Sequence, residues 1–222
     1  MKKYLHIIEK SPLFSGVTGE EIETMLGCLS PTTEDFSKNQ FVLRYGEDVS
    51  TVGMVLSGSV YVIMEDFWGN RNIIGKASAG EVFAEAYACT PGKALGVSVV
   101  AGERTTVLFL DVRKLMTTCG SACRFHARLI RNLLSTLAEK NLNLNDKLTH
   151  MGQRTTREKL LSYLSAVSQR KGSASFEIPF NRQQLADYLS VDRSAMSNEL
   201  GKMRDEGLLE FSKNSFTLKH GD

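Results

Sequence analysis

Between Ile130 and Met151 apolar residues return at alternating intervals of four and three: Ile130, Leu134, Leu137, then Asn141 in the same register, then Leu144, Leu148 and Met151. A repeat averaging 3.5 residues over three heptads predicts one long helix with a narrow apolar seam. It lies nearer the period of a two-helix coiled coil than the 3.6 of a lone helix packed on its own domain. That seam predicts a homodimer through a helix spanning 121–151. Asn141, the one polar member, fits either of two roles, fixing the register of a paired seam or touching a ligand.

The texture on each side of this helix differs. From Phe36 to Leu110 short β-branched runs ("FVLRYG", "VGMVLSGSVYVIMED", "RNIIGKASAGEVF", "GVSVVAG", "TTVLFLD") alternate with glycines 46, 58, 69, 80, 92 and 102. Regular short strands with turn signals predict a β-sandwich or barrel. Residues 1–29 read as helical, with Thr18 and Glu21 at capping-box spacing. Gly152 breaks the long helix, and Thr155 with Glu158 opens the next one, whose apolar face is Leu160, Leu161, Leu164 and Val167. The expected domains are therefore 1–120, the helix 121–151, and 153–222.

In the last domain "NRQQLADYLSVDRSAMSNELGKM" (181–203) reads as two short helices with almost no connection. Leu185, Leu189, Met196, Leu200 and Met203 mark their buried faces, and Asp192 is an N-cap for the second. A helix-turn-helix needs this compactness, because its first helix braces a second whose N-terminal residues enter the major groove. Arg193, Ser194, Ser197 and Asn198 occupy the outward face of that second helix. Arg pairs bidentately with guanine, Asn with adenine, and Ser bonds either a base or a phosphate. Arg182 is placed for a backbone phosphate, and Gln183 and Lys202 complete the candidate surface. "EGLLEFSKNSFTLK" (206–219) reads as strand, turn at Lys213-Asn214 and strand, with "FEIPF" (176–180) as a third strand. That is the wing of a winged helix.

The order of these parts, with "LSGSVYVIMEDFWGNRNIIGKASAGEVFAEA" in the roll and "RQQLADYLSVDRSAMSNEL" in the reading unit, resembles the Crp/Fnr family of transcription regulators. The resemblance covers nearly the whole chain. It implies an α+β fold: a cyclic-nucleotide-binding-type β-roll (jelly-roll-like), a dimerisation helix and a C-terminal winged helix-turn-helix. It implies double-stranded DNA as partner, and RNA polymerase as a further one if the regulator activates. Arg193 resembles the family's DNA-contacting Arg, whereas Ser194 stands where many relatives have Glu and Asn198 where many have Arg. The operator should differ accordingly.

Cyclic-nucleotide-binding relatives hold phosphate on a short helix after "GE" and pair it with an Arg some ten residues later. The present chain keeps Gly80, Glu81 and Glu85, with Ala86 following, but has Leu95 at the Arg position and Gly96 in place of Ser. Lys93 is a point charge rather than a planar fork, so cyclic AMP is disfavoured. The expectation is an unidentified small-molecule effector at Gly80, Glu81, Glu85, Ala86 and Leu95, with Asn141 as a contact from the long helix. Phe67, Trp68, Phe83 and Tyr87 are candidates either for lining an apolar site or for plain core.

Other functions find little support. The formal net charge is only +2, and Lys+Arg nearly balance Asp+Glu on both sides of Gly152, so DNA binding must rest on local placement of charge. Residues 1–27 lack cysteine and residues 30–110 lack histidine, against the iron-sulfur and haem routes of sensing. Cys119, Cys123 and His126 make at most half a metal site, leaving incidental thiols as the simpler reading and no cofactor expected. No nucleophile with its base, and no phosphate loop or zinc motif, is present, so the chain is not expected to be an enzyme. With no signal peptide and no apolar run of ~18 residues, a cytoplasmic location away from membranes is expected.

Overall fold

The computed structural model describes residues 2–68, 71–116 and 124–219. It divides into two compact units, Met1–Glu139 and Lys140–Asp222. Among the described residues no helix is long and apolar enough to cross a membrane.

The first unit opens with two short helices, α1 (Leu5–Lys10) and α2 (Gly19–Leu29). Thr18 and Glu21 exchange both bonds of a capping box at the start of α2. Eight antiparallel strands follow: β1 (Thr32–Phe36), β2 (Phe41–Leu43), β3 (Thr51–Ser57), β4 (Ser59–Glu65), β5 (Arg71–Ser78), β6 (Val82–Phe83), β7 (Ser98–Ala101) and β8 (Thr105–Asp111). Helix α3 (Glu85–Ala88) lies between β6 and β7, and α4 (Val112–Met116) follows β8. The strands form two sheets, ordered β1-β8-β3-β6 and β2-β7-β4-β5.

Two cores explain why the runs around β3 and β8 are apolar without alternation. Val55, Phe83, Val107 and Phe109 meet Val60, Ala77, Val99 and Ala101 of the other sheet. On the opposite face Val52, Met54, Leu56, Leu108 and Leu110 meet Ile8, Phe14, Ile22, Met25 and Leu29 of the N-terminal segment. A sheet covered on both sides loses the period-two signature. Phe83 thereby resolves as core: a Cβ on Gly53 would come within 2.3 Å of its ring, so only glycine allows that approach. Phe67 and Trp68, by contrast, are 95% and 82% exposed.

Helix α5 (Arg124–Met151) is 28 residues long. Its Leu129 and Leu133 are buried in the core of the first unit, whereas Leu134, Leu144 and Leu148 of the seam are 66%, 61% and 65% exposed. The last turns of α5, carrying Asp146, Lys147 and His150, count with the second unit, and the helix ends at Met151 beside the expected linker. Cys119 and Cys123 fall outside the described residues. Among those described, no group of three His, Cys, Asp or Glu side chains could hold a metal ion.

The second unit continues with α6 (Thr156–Lys171), β9 (Ser175–Glu177), α7 (Arg182–Leu189), α8 (Arg193–Asp205), β10 (Leu209–Ser212) and β11 (Ser215–Leu218). The strands pair in the order β10-β11-β9, with Lys213 in the left-handed region at the β10–β11 turn (φ 52°). Leu160, Leu164, Leu185, Leu189, Met196, Leu200, Met203, Leu209 and Phe216 form one buried cluster.

Candidate nucleic-acid interface and effector region

Three consecutive residues set α8 against α7. Ser190 closes α7 in the left-handed region (φ 51°), the backbone N–H of Val191 donates back to the carbonyl of Ala186 at 3.0 Å, and the Asp192 carboxylate accepts from the Ala195 N–H at 2.8 Å. The Lys159 ammonium donates to the Leu189 and Ser190 carbonyls (3.3 and 3.4 Å), a cation where the end of α7 favours one. Asn181 and Gln184 form a capping box at the start of α7, a signal readable in "NRQQ".

On α8, Met196, Leu200 and Met203 are buried while Arg193, Ser194, Ser197, Asn198 and Lys202 are exposed. The candidate residues therefore share the solvent side of a helix whose other face is fixed in the core. Some are already engaged. Ser197 Oγ donates to the Arg193 carbonyl at 2.9 Å, and Lys202 pairs with Glu199 at 3.8 Å. The Gln183 amide donates to Asp187 at 2.8 Å. Arg193, Ser194 and Asn198 keep side chains that no other described residue bonds.

Arg182 is placed differently from a freely reaching surface cation. It is half-buried, its guanidinium centred 4.8 Å and 5.0 Å from the rings of Phe211 and Phe216, and burial pulls its pKa down. This is a cation–π contact that ties α7 to the wing. Sequence reading had no means of pairing positions so far apart. The wing turn adds two residues outside the expected set: a groove of about 720 Å³ is lined by Asn181, Arg182, Gln183, Arg193, Lys213 and Asn214. Three cations thus converge on one concavity, although the chain as a whole is nearly neutral.

In the first unit, Gly80 has φ 87° and its N–H donates to the Val55 carbonyl at 2.8 Å. The Glu81 carboxylate accepts from the Ser78 N–H at 2.7 Å, so it caps its own turn. Ala84, just before α3, is held left-handed at φ 62°, a conformation that costs a non-glycine residue about 1–2 kcal/mol. Glu85 opens α3 and is buried, whereas Ala86 is exposed. Burial, and then the Glu85 carboxylate, push the Cys89 thiol pKa up. Leu95 is 2% exposed, and its backbone exchanges bonds with Gly46 and Glu47. A Cβ on Gly96 would lie 3.0 Å from the Tyr87 hydroxyl. Positions 95 and 96 thus hold a buried leucine and a glycine covered by a tyrosine tip. Lys93 lines a cavity of about 580 Å³ beside α3, with Asp48, Cys89, Val112 and Arg113. Asn141 belongs to the second unit, is exposed, and accepts from the Asn145 amide at 3.0 Å.

Two family models match this chain. The cyclic nucleotide-binding domain matches residues 33–121, and the Crp-like helix-turn-helix domain matches residues 158–220. The chain belongs to the Crp/Fnr family of transcription regulators. Among curated relatives of this Crp/Fnr protein, the transcriptional activator protein FnrL of Cereibacter sphaeroides is 26% identical over 68 residues, 27% of either chain. The match therefore spans about a quarter of that relative. Among solved structures, the catabolite activator protein of Thermus thermophilus has a TM-score of 0.50 at 21% identity, covering 94% of both chains. The c-di-GMP-responsive global regulator CLP of Xanthomonas campestris has a TM-score of 0.57 at 18% identity, covering 90% of this chain and 98% of its own. At such identities the shared fold is what these structures establish: a cyclic-nucleotide-binding-type β domain, a long helix and a C-terminal helix-turn-helix.

Proposed function

We propose that this Crp/Fnr-family protein is a homodimeric, sequence-specific DNA-binding regulator that places α8 in the major groove of each half of a near-palindromic operator. The observation that carries the reading is the outward face of α8. Arg193, Ser194 and Asn198 present unengaged polar groups beside a groove carrying Arg182 and Lys213. Base edges are recognised by such residue types, and phosphates by such a collection of cations. The exposed leucine seam of α5 supports pairing of two copies, which sets half-sites about one helical turn apart. Contact with RNA polymerase would accompany activation.

The roll, on this reading, senses a small molecule other than cyclic AMP through Gly80, Glu81, Glu85, Ala86 and Leu95. Support comes from the buried Leu95 and the self-capping Glu81, which leave no arginine fork for a phosphate at these positions. A ligand acts by favouring one of two dimer arrangements, typically with ~1–3 kcal/mol of coupling.

The test is selection of sites from a randomised duplex library, followed by binding measurements across salt concentrations. A palindromic consensus, bound with a steep salt dependence, is expected. Arg193→Ala should cost ~1–3 kcal/mol and relax base preference at one position per half-site. Recovery of no consensus, or a variant as selective as the parent, would overturn the assignment of α8.

A further inference from the structure

Arg157 is the second residue of α6, in a first turn whose cap is already supplied by Thr155 and Glu158. A cation there faces the positive end of the helix dipole, where anions are favoured. Glu206 has the reverse mismatch at the C-cap of α8, where cations are favoured, and Glu199 lies at the midpoint of that helix. All three charges meet in space. The Arg157 guanidinium donates to both carboxylate oxygens of Glu206, Nη1 reaching Oε1 at 3.0 Å, and Nη1 also reaches Glu199 at 3.4 Å. Glu199, whose side chain is 19% exposed, further pairs with Lys202 at 3.8 Å.

We propose that Arg157 is a positioning residue for DNA reading: from α6 it grips α8 at two points two turns apart, Glu199 and Glu206, and thereby fixes the rotation at which Arg193, Ser194 and Asn198 are presented. Apolar packing of Met196, Leu200 and Met203 holds α8 in place, but such packing is non-directional. A planar fork on a carboxylate has defined geometry. The inference rests on the DNA-reading role of α8 and adds a contributor that is not among the outward residues of that helix.

The experiment exploits a sign. Glu206→Gln removes a negative charge from a DNA-binding domain, so general electrostatics predicts tighter DNA binding. Loss of positioning predicts weaker binding to the selected operator. We expect Glu206→Gln and Arg157→Met each to lose about five- to tenfold in operator affinity, within the range for coupled contacts. Binding to a scrambled duplex should stay within about twofold, and the salt slope should match the parent, because no phosphate contact is lost. The double variant should be no weaker than Arg157→Met alone, which already removes both contacts. The proposal is overturned if Glu206→Gln binds the operator as tightly as the parent or more tightly, or if Arg157→Met flattens the salt slope by about one, which would place Arg157 on a phosphate. Should the unsubstituted protein select no operator, the DNA-reading role fails first, and separably.

Discussion

Shortening Leu144 to alanine tests the dimer seam quantitatively. The side chain is 61% exposed in the single chain and loses three carbon atoms in the change. At ~0.8 kcal/mol per buried carbon group, scaled by the surface that pairing would cover, the loss is about 1.5 kcal/mol per copy. Two copies give about 3 kcal/mol, roughly a hundredfold in the dimer dissociation constant. Sedimentation equilibrium over a range of protein concentrations reads this directly. The internal control is Leu142→Ala. Leu142 is 64% exposed yet lies about 200° round the helix from Leu144 at 100° per residue, so its removal should leave assembly unchanged. If both variants shift dissociation equally, or neither does, the heptad seam is not the interface. A monomeric parent protein at working concentration would refute dimerisation itself.

Three more outcomes follow from local geometry. Asp192→Ala should destabilise the protein by ~1 kcal/mol through loss of the α8 cap, seen as a lower urea midpoint, while Asp192→Asn should retain most of the stability. His150 is 3% exposed and its Nε2 lacks a partner; burial holds its pKa below 6.5, with Asp146 raising it and Arg170 lowering it less strongly. The ring is neutral in the fold, so stability is complete above about pH 6.5 and is lost as the unfolded chain takes up the proton at lower pH. Urea midpoints at pH 8 and pH 5.5 should therefore converge in His150→Gln relative to the parent, and an identical acid loss in both would contradict the sign. Millimolar cyclic AMP should leave the melting temperature unchanged, whereas a site at a hundredfold saturation would add ~2.7 kcal/mol; a shift of several degrees would restore cyclic AMP as the effector.

The long helix was legible in its 3.5-residue seam, the helix-turn-helix in its spaced apolar positions, and most strands in β-branched runs between glycines. Strand β1 escaped: in Thr32–Phe36 only Phe36 is buried, since an edge strand needs little apolar surface. Caps at Thr18, Thr155 and Asp192 could be read because they act within four residues. Contacts between distant segments could not. Arg182 is separated in sequence from Phe211 and Phe216, and Arg157 from Glu206; no local pattern marks either pair. The aromatic grouping of His150, Tyr163, Phe180 and Tyr188 is hidden in the same way. Burial there, the neighbouring Tyr188 and, in the opposite sense, Arg170 leave the Tyr163 phenol pushed up to about 12.

The turn from Ser190 to Asp192 has no spare residue: one closes a helix, one ties back to it, and one starts the next. Its geometry is encoded within a dozen consecutive positions, so insertions must be accommodated elsewhere in the domain. The same economy makes the outward residues of α8 exchangeable. New combinations at 193, 194 and 198 can be installed on an unchanged bracket, and a family of regulators with different vocabularies becomes accessible by short steps.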